Sequence, residues 1–228
     1  MTTKPLFPLI RHVSGKLSPL IILLPVSANL VTTASLLSGL AACWYLINGT
    51  YSSTLIGALL LFVCYVLDNS DGEVARAKKQ SSSFGDKYDT FADWIVHTGL
   101  FAALGFGVAR QTGADYWLWL GLFGSAGGTI NYGLKLYLDY RDQQRLAGET
   151  RIVADATSPA AEQAPAVPQG VVGWGAYILR ELSRADFCFI VMALALFDVT
   201  WILLPTAAVG AHAYWIAIFV EGARKHRV

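Results

Sequence analysis

Charged residues are scarce in this chain of 228 residues: only 14% are Asp, Glu, Lys or Arg, whereas 54% are hydrophobic. Soluble domains carry roughly 25% charged residues. A mean hydropathy of +0.47 therefore excludes an ordinary water-soluble globular protein. The basic and acidic residues nearly cancel, with a net charge of +1. Without the strong positive charge that nucleic-acid-binding proteins use to hold phosphates, we expect no nucleic acid partner.

Cysteine is equally rare, with three residues in the chain. Cys43, Cys64 and Cys188 lie in separate apolar stretches and lack the paired spacing of a disulfide framework or a zinc site. We expect buried, inert thiols. The first 25 residues also lack a small-residue cleavage site, so no cleavable signal peptide is predicted.

The chain contains several long apolar segments. A spanning helix needs about 20 residues, because a rise of about 1.5 Å per residue must cover roughly 30 Å of hydrocarbon. Six stretches meet or approach this length: 30–48, 53–75, 89–109, 115–138, 187–204 and 206–222. Pro205 separates the last two. The sequence predicts an all-α, polytopic membrane protein with six transmembrane helices.

The basic residues predict the orientation. If six helices alternate from a cytoplasmic N-terminus, only Arg110 of the seventeen Lys and Arg residues lies outside the cytoplasm. Both termini are then cytoplasmic, in the cytoplasmic membrane. Basic residues among apolar ones near the N-terminus favour an interfacial helix. The predicted organisation is a cytoplasmic interfacial segment (1–26), a six-helix transmembrane domain (27–222) with a flexible cytoplasmic linker (146–172), and a basic tail (223–228).

Carboxylates cluster where the second and third apolar runs approach each other along the chain. Residues at spacings of three, four and seven share one helical face, as do residues at spacings of four and eight. These faces carry Asp68, Asp71, Gly72 and Ala75 on the second helix and Gly85, Asp89 and Asp93 on the third. A short polar loop (78–84) predicts an antiparallel hairpin that brings the two faces together.

Such a cluster predicts a bound cation. Two like unit charges 4 Å apart repel by about 4 kcal/mol at an effective dielectric of about 20, so four converging carboxylates need a counter-charge. Oxygen ligands suit Mg²⁺ or Mn²⁺ better than Zn²⁺. Two such ions can clamp a phosphoryl group during a displacement, and Arg76 is available to a phosphate oxygen.

The pattern Asp68-x2-Asp71-Gly72-x2-Ala75-Arg76-x8-Gly85-x3-Asp89-x3-Asp93 resembles, at every fixed position, the signature of the CDP-alcohol phosphotransferase (CDP-alcohol phosphatidyltransferase) family of membrane enzymes. The segment SANLVT (27–32) is similar to the family's Pro-Asn-x-Val-Thr segment, with Ala28 where Pro is usual. We take the resemblance to cover residues 27–222.

The resemblance implies an activity in phospholipid biosynthesis. Such enzymes move the phosphoalcohol of a CDP-alcohol, often CDP-diacylglycerol, to the hydroxyl of a second alcohol and release CMP. It implies two bound divalent ions, Mg²⁺ or Mn²⁺, a membrane lipid environment and a homodimer. It also implies that Asp68, Asp71, Asp89 and Asp93 bind metal, that Asp93 is the general base, and that Asn29, Thr32, Gly72, Ala75, Arg76 and Gly85 line the CDP site.

The second substrate is less constrained. Lys135 and Arg184 resemble the basic residues with which inositol-phosphate-using members hold the phosphate of their acceptor, so we expect a polyol or polyol phosphate, with inositol phosphate as one candidate. A soluble CDP-polyol donor, which would give a soluble phosphodiester, is an alternative to CDP-diacylglycerol.

A divalent-cation transporter is disfavoured because 55–67 and 98–109 become wholly apolar away from the cluster. The sequence assigns no role to His97 or Asp198.

Overall fold

A computed structural model describes residues 8–149 and 186–225. Within these ranges the chain is helical and contains no strand, as predicted. The helices are α1 (Ile10–Leu23), α2 (Ala28–Leu46), α3 (Tyr51–Ala77), α4 (Ser83–Thr112), α5 (Tyr116–Glu149), α6 (Phe187–Leu196) and α7 (Leu203–Lys225), with a 3₁₀ turn at Thr200–Ile202.

Polar side chains define where the central helices begin. Ser27, Thr50 and Ser82 each accept a hydrogen bond from a backbone N–H in the first turn of α2, α3 and α4, respectively. These bonds satisfy donors that have no partner within the helix. Helix α4 ends at Gly113, which has a φ of 71° in the left-handed region that favours glycine.

Three of the described helices, α2, α3 and α4, are long and apolar enough to cross a membrane. They correspond to the first three predicted spans. Helix α6 is apolar but has only ten residues. Helices α5 and α7 occupy the fourth and sixth predicted stretches. The six-span topology is thus supported for three helices and otherwise stays a prediction.

Helix α2 is the centre of the arrangement. It packs against both α3 and α4, whereas the backbones of α3 and α4 make little contact with each other. The hairpin of α3 and α4 brings carboxylates of the two faces together, as predicted. It does so through side chains, because α2 packs against both helices and leaves a gap between their backbones. Helix α5 packs on α4, and α7 packs on α5.

Glycine permits the close approach of α2 and α4. A Cβ atom at Gly107 would lie 2.1 Å from the carbonyl oxygen of Leu46, and one at Gly49 would lie 2.1 Å from the carbonyl oxygen of Gly107. Real Cβ atoms do not reach such distances, so this contact requires glycine on both sides. On α5, a Cβ atom at Gly127 would lie 2.8 Å from Ala211 Cβ of α7, and one at Gly124 would lie 3.3 Å from Ala207 Cβ, so these glycines also allow close packing.

The break between the last two helices is not at Pro205, as the sequence suggested. Helix α6 ends at Leu196, and Asp198 adopts a left-handed φ of 55°. The Asp198 and Val199 N–H groups bond the carbonyls of Ala195 and Leu194, which is the Schellman pattern of helix termination. Pro205 lies in the first turn of α7, where its missing N–H costs no hydrogen bond. Asp198 is thus an exposed turn residue.

Helix α1 packs along α3, and its start is fixed by a buried carboxylate. Asp186, 0% exposed, accepts hydrogen bonds of 2.8 Å from the Leu9 and Ile10 N–H groups. A carboxylate is favourable at this positive end of a helix. The three cysteines are free and buried, as predicted.

Several predicted segments lie wholly or partly outside the described residues. Arg184 is among them, as are residues 1–7 of the N-terminal segment, 150–172 of the linker and 226–228 of the tail. The domain boundaries stay predictions; in the described residues, α5 extends to Glu149 and α7 to Lys225.

Candidate active site

Three carboxylates converge across the gap between α3 and α4. Asp68 and Asp71 project from α3 and Asp89 from α4, and one oxygen of each lies within 4.8 Å of the others. Asp71 is buried, at 6% exposed, and the other two are partly buried. The helical spacing predicted this convergence, and the structure confirms it for these three residues.

Asp93 borders this group without belonging to it. Its carboxyl group lies beside that of Asp68, one turn along α4 from Asp89. It also lines a separate cavity that the first three carboxylates do not reach. The structure therefore places Asp93 between the carboxylate group and the cavity, and its predicted role as a fourth metal ligand stays a prediction.

The chemistry of this group fits a divalent cation. The Oδ1 atom of Asp89 is buried and has no hydrogen-bond partner within the described part of the chain. A buried carboxylate oxygen without a donor is unfavourable, and three carboxylates this close also repel one another. An all-oxygen donor set suits Mg²⁺ or Mn²⁺. Asp68, Asp71 and Asp89 would hold such an ion.

Helix α2 supplies the third side of the site. Thr32 is buried and donates a hydrogen bond of 2.5 Å from its Oγ1 to Asp71 Oδ2. One turn earlier, the Asn29 side-chain oxygen lies 3.3 Å from where a Cβ atom of Gly85 would be. These two residues of the SANLVT segment therefore face the signature residues of α3 and α4, respectively.

Arg76 and Ala75, which are also predicted to bind CDP, lie in different surroundings. The Arg76 guanidinium lies over Gly72, with Nη1 3.4 Å from the position of a Cβ atom there. The Arg76 side chain is exposed, so it is free to meet a phosphate. Ala75 instead packs against the apolar cluster that includes Val74 and Ile21, which gives it at least a packing role.

Sequence reasoning missed two residues that secure α2 in this position. Lys78 Nζ donates to the carbonyls of Leu24 and Val26, at 2.6 and 2.7 Å. Gln80 Oε1 accepts a 2.9 Å hydrogen bond from the Ala28 N–H. Both fasten the start of α2 to the end of α3. No local sequence pattern signals these bonds, because each partner is about fifty residues away.

His97 is fully engaged in hydrogen bonds. Its Nδ1 lies 2.8 Å from the backbone carbonyl oxygen of Asp93, and its Nε2 lies 2.7 Å from the Tyr65 hydroxyl. A carbonyl only accepts, so Nδ1 carries the proton. In the neutral ring Nε2 then accepts from Tyr65. His97 therefore presents no free lone pair for a role as a base.

A cavity of about 250 Å³ opens beside Asp93 between α4, α5 and α7. His97 and Lys135 line it, so the structure brings Lys135 of α5 and Asp93 of α4 to the same space. An aromatic pair forms part of the wall: the rings of Trp94 and Tyr132 stack with centroids 5.1 Å apart. Most of the cavity's surface is apolar, with a few polar groups, which is typical of small-ligand sites.

Two comparisons with known proteins agree with a phosphotransferase site of this geometry. A family model described as CDP-alcohol phosphatidyltransferase matches residues 25–221, which is most of the chain. The chain is also 30% identical, over 127 residues, to a protein of Aquifex aeolicus (strain VF5) named bifunctional IPC transferase and DIPP synthase. That match covers 56% of this chain and 28% of the relative, so the chain matches only about a quarter of the relative's length.

Proposed function

Because the chain belongs to the CDP-alcohol phosphatidyltransferase family, we propose that it moves a phosphoalcohol from CDP-diacylglycerol to the hydroxyl of a polyol or polyol phosphate and releases CMP. As a member, it is a transferase of substituted phosphate groups. The observation that carries the proposal is the convergence of Asp68, Asp71 and Asp89 within 4.8 Å, beside a cavity that contains Asp93. A transporter role has no comparable support.

Each part of the site has a role in this reaction. Asp68, Asp71 and Asp89, with Asp93 alongside, would hold two divalent ions. When bound, such ions neutralise the diphosphate and make CMP a better leaving group. Gly72 and Gly85 leave room for the nucleotide.

The remaining polar groups position the donor. Arg76 is exposed beside Gly72 and would meet a phosphate oxygen of CDP. Asn29 and Thr32 of α2 would close the other side of the nucleotide. Asn29 faces Gly85 across the gap, and Thr32 is fixed by its bond to Asp71.

Asp93 would accept the proton of the acceptor hydroxyl. The oxygen then attacks the phosphorus that bears the alcohol, and the bond from that phosphorus to the CMP oxygen breaks. The position of Asp93 between the carboxylate group and the cavity suits this role, because the acceptor would enter from the cavity side. No covalent intermediate with the protein is needed.

The cavity supports a small, polar acceptor. Its volume of about 250 Å³ lies below the roughly 300–1,000 Å³ of sites for drug-sized ligands, so it suits a polyol better than a second lipid. Lys135 at its edge would contact a phosphate on the acceptor. Arg184, which is outside the described residues, is the second candidate for this clamp. Inositol phosphate fits these requirements.

We further propose that all six spans form, with the site and both termini facing the cytoplasm, and that the protein is a homodimer. The distribution of Lys and Arg supports the orientation. The dimer rests on the family resemblance alone. Reporter fusions at the N-terminus, at residues 146–172 and at the C-terminus should all report a cytoplasmic location, and a periplasmic signal from any of them would contradict this topology.

The central experiment is a substrate panel. The purified full chain, reconstituted in lipid, is incubated with labelled CDP-diacylglycerol and with polyols and their phosphates, and CMP release is measured. We expect release with a phosphorylated polyol and none without an acceptor. A soluble CDP-polyol is tested as a donor in parallel. CMP release from this donor but not from CDP-diacylglycerol would favour the alternative donor. Failure of every donor to yield CMP would reject the proposed function.

A further inference from the structure

The Tyr65–His97 hydrogen bond connects two helices whose backbones make little contact. Helix α2 packs against both α3 and α4, which stand apart from each other. The 2.7 Å bond from the Tyr65 hydroxyl to His97 Nε2 joins α3 directly to α4. The two rings also meet edge to face, with centroids 5.7 Å apart.

This bond lies directly beneath the carboxylates. On α3, Tyr65 precedes Asp68 by three residues, and on α4, His97 follows Asp93 by four. Both spacings correspond to about one helical turn, roughly 5 Å, on the same face. Because the helices run in opposite directions, both displacements lead away from the loop. The Tyr65–His97 pair therefore forms a second layer under the Asp68–Asp93 pair.

The pair is rigid at both ends. Tyr65 is only 6% exposed and belongs to the main apolar core. The His97 ring is held by its second bond, 2.8 Å from Nδ1 to the Asp93 carbonyl oxygen. This bond attaches His97 to the residue whose side chain borders the carboxylate group. A displacement of His97 would thus shift Asp93 relative to Asp68.

We propose that Tyr65 and His97 are positioning residues that set the distance between the α3 and α4 carboxylates and so determine how tightly the site binds divalent ions. Three mutually repelling carboxylates would otherwise push the two helices apart, and α2 contacts each helix separately. The inference rests on the metal-dependent function proposed above. Residues that orient metal ligands without touching the metal commonly change its affinity by 10–100-fold.

The test measures metal binding, not turnover. Mn²⁺ binding to the purified full chain in detergent is followed by the electron paramagnetic resonance signal of free Mn²⁺. Tyr65→Phe removes one hydroxyl and keeps the buried ring, and we expect its Mn²⁺ affinity to fall about tenfold or more. Tyr51→Phe is the matched control. The Tyr51 hydroxyl also joins α3 to another helix, through the Leu196 carbonyl at 3.2 Å, but at the far end of α3.

A double-mutant cycle separates this role from a general loss of stability. His97→Leu should weaken Mn²⁺ binding at least as much as Tyr65→Phe, because it also removes the Nδ1 bond to the Asp93 carbonyl oxygen. The double variant should be no weaker than His97→Leu, because the Tyr65–His97 bond is already lost in that variant. His97→Gln, whose amide can both donate and accept, should recover part of the affinity. Wild-type affinity in Tyr65→Phe, or additive losses in the double variant, would overturn the proposal.

The same measurements distinguish this inference from the proposed function. If the unaltered protein binds Mn²⁺ and Tyr65→Phe binds it more weakly, while no donor yields CMP, the positioning role stands and the proposed reaction fails. If CMP is released and the Tyr65→Phe and Tyr51→Phe variants bind Mn²⁺ equally well, the reaction stands and the positioning role is wrong. Thermal unfolding of both variants checks that each is folded.

Discussion

Thr32 of α2 donates a 2.5 Å hydrogen bond to Asp71 of α3, and both side chains are buried. The bond ties the Asp71 carboxylate, a member of the carboxylate group, to α2. A threonine of α2 thereby orients a carboxylate of α3 that would bind metal in the proposed site. The helix that separates α3 from α4 is thus also part of the site.

Replacing Thr32 tests this relationship. Thr32→Val keeps the size and shape of the side chain but removes the donor, leaving Asp71 with an unpaired buried oxygen. We expect the concentration of Mg²⁺ needed for half-maximal CMP release to rise about tenfold. Thr32→Ser, which restores a hydroxyl, should stay near the wild-type value. Equal behaviour of the two variants would show that the bond does not tune the site.

Asp93→Asn should nearly abolish turnover. The amide cannot accept the acceptor's proton, and loss of a general base typically costs 10²–10⁴-fold in rate. Binding of the CDP-alcohol should stay within about tenfold of wild type, because Asp93 lies outside the compact carboxylate group. CMP release measures the first quantity and equilibrium binding of labelled donor the second. A variant with substantial turnover would remove Asp93 as the base.

Removal of divalent ions should stop the reaction reversibly. EDTA treatment of the purified protein is expected to abolish CMP release, because the Asp68, Asp71 and Asp89 carboxylates would then lack their counter-charge. Addition of Mg²⁺ or Mn²⁺ should restore release, whereas Zn²⁺, which prefers nitrogen and sulfur ligands, should restore little. Activity that persists in the chelator would contradict metal-assisted transfer.

Lys135→Ala should affect one substrate selectively. The side chain lines the cavity that contains Asp93, so its loss should raise KM for a phosphorylated acceptor by about tenfold and leave KM for the donor nearly unchanged. Arg184→Ala should act in the same direction. Lys87→Ala, an exposed lysine of α4, is the control for a general loss of positive charge. An equal rise for both substrates would exclude the acceptor clamp.

Gly107→Ala tests the packing of α2 against α4. The added methyl group would lie 2.1 Å from the Leu46 carbonyl oxygen, so the helices must separate, at a cost of about 1–3 kcal/mol or more. A lower Tm in detergent is expected. Gly133→Ala has no atom within 4 Å of the new methyl group and should leave Tm unchanged or slightly higher. A Gly107→Ala protein as stable as wild type would argue against this contact.

Several features of the site were predictable because they depend on spacing along one helix. Asp68 and Asp71 share a face of α3 whatever the rest of the fold does, and the polar stretch between the second and third apolar runs marks where the chain turns. Other predictions needed more than local pattern. The sequence predicts a break between two helices at Pro205, yet a proline in a first turn is compatible with a helix, and the break is at Asp198.

The sequence by itself determined the helical class of the protein, the apolar lengths of α2, α3 and α4, and the sharing of one face by the carboxylates of each helix, since these follow from composition and from a period of 3.6 residues. Only the tertiary structure decided the partners across helices. Thr32 with Asp71, Tyr65 with His97, and Lys135 with the Asp93 cavity depend on how each helix is rotated and how far apart its neighbours stand. Packing sets those quantities over the whole assembly, and no local pattern encodes them.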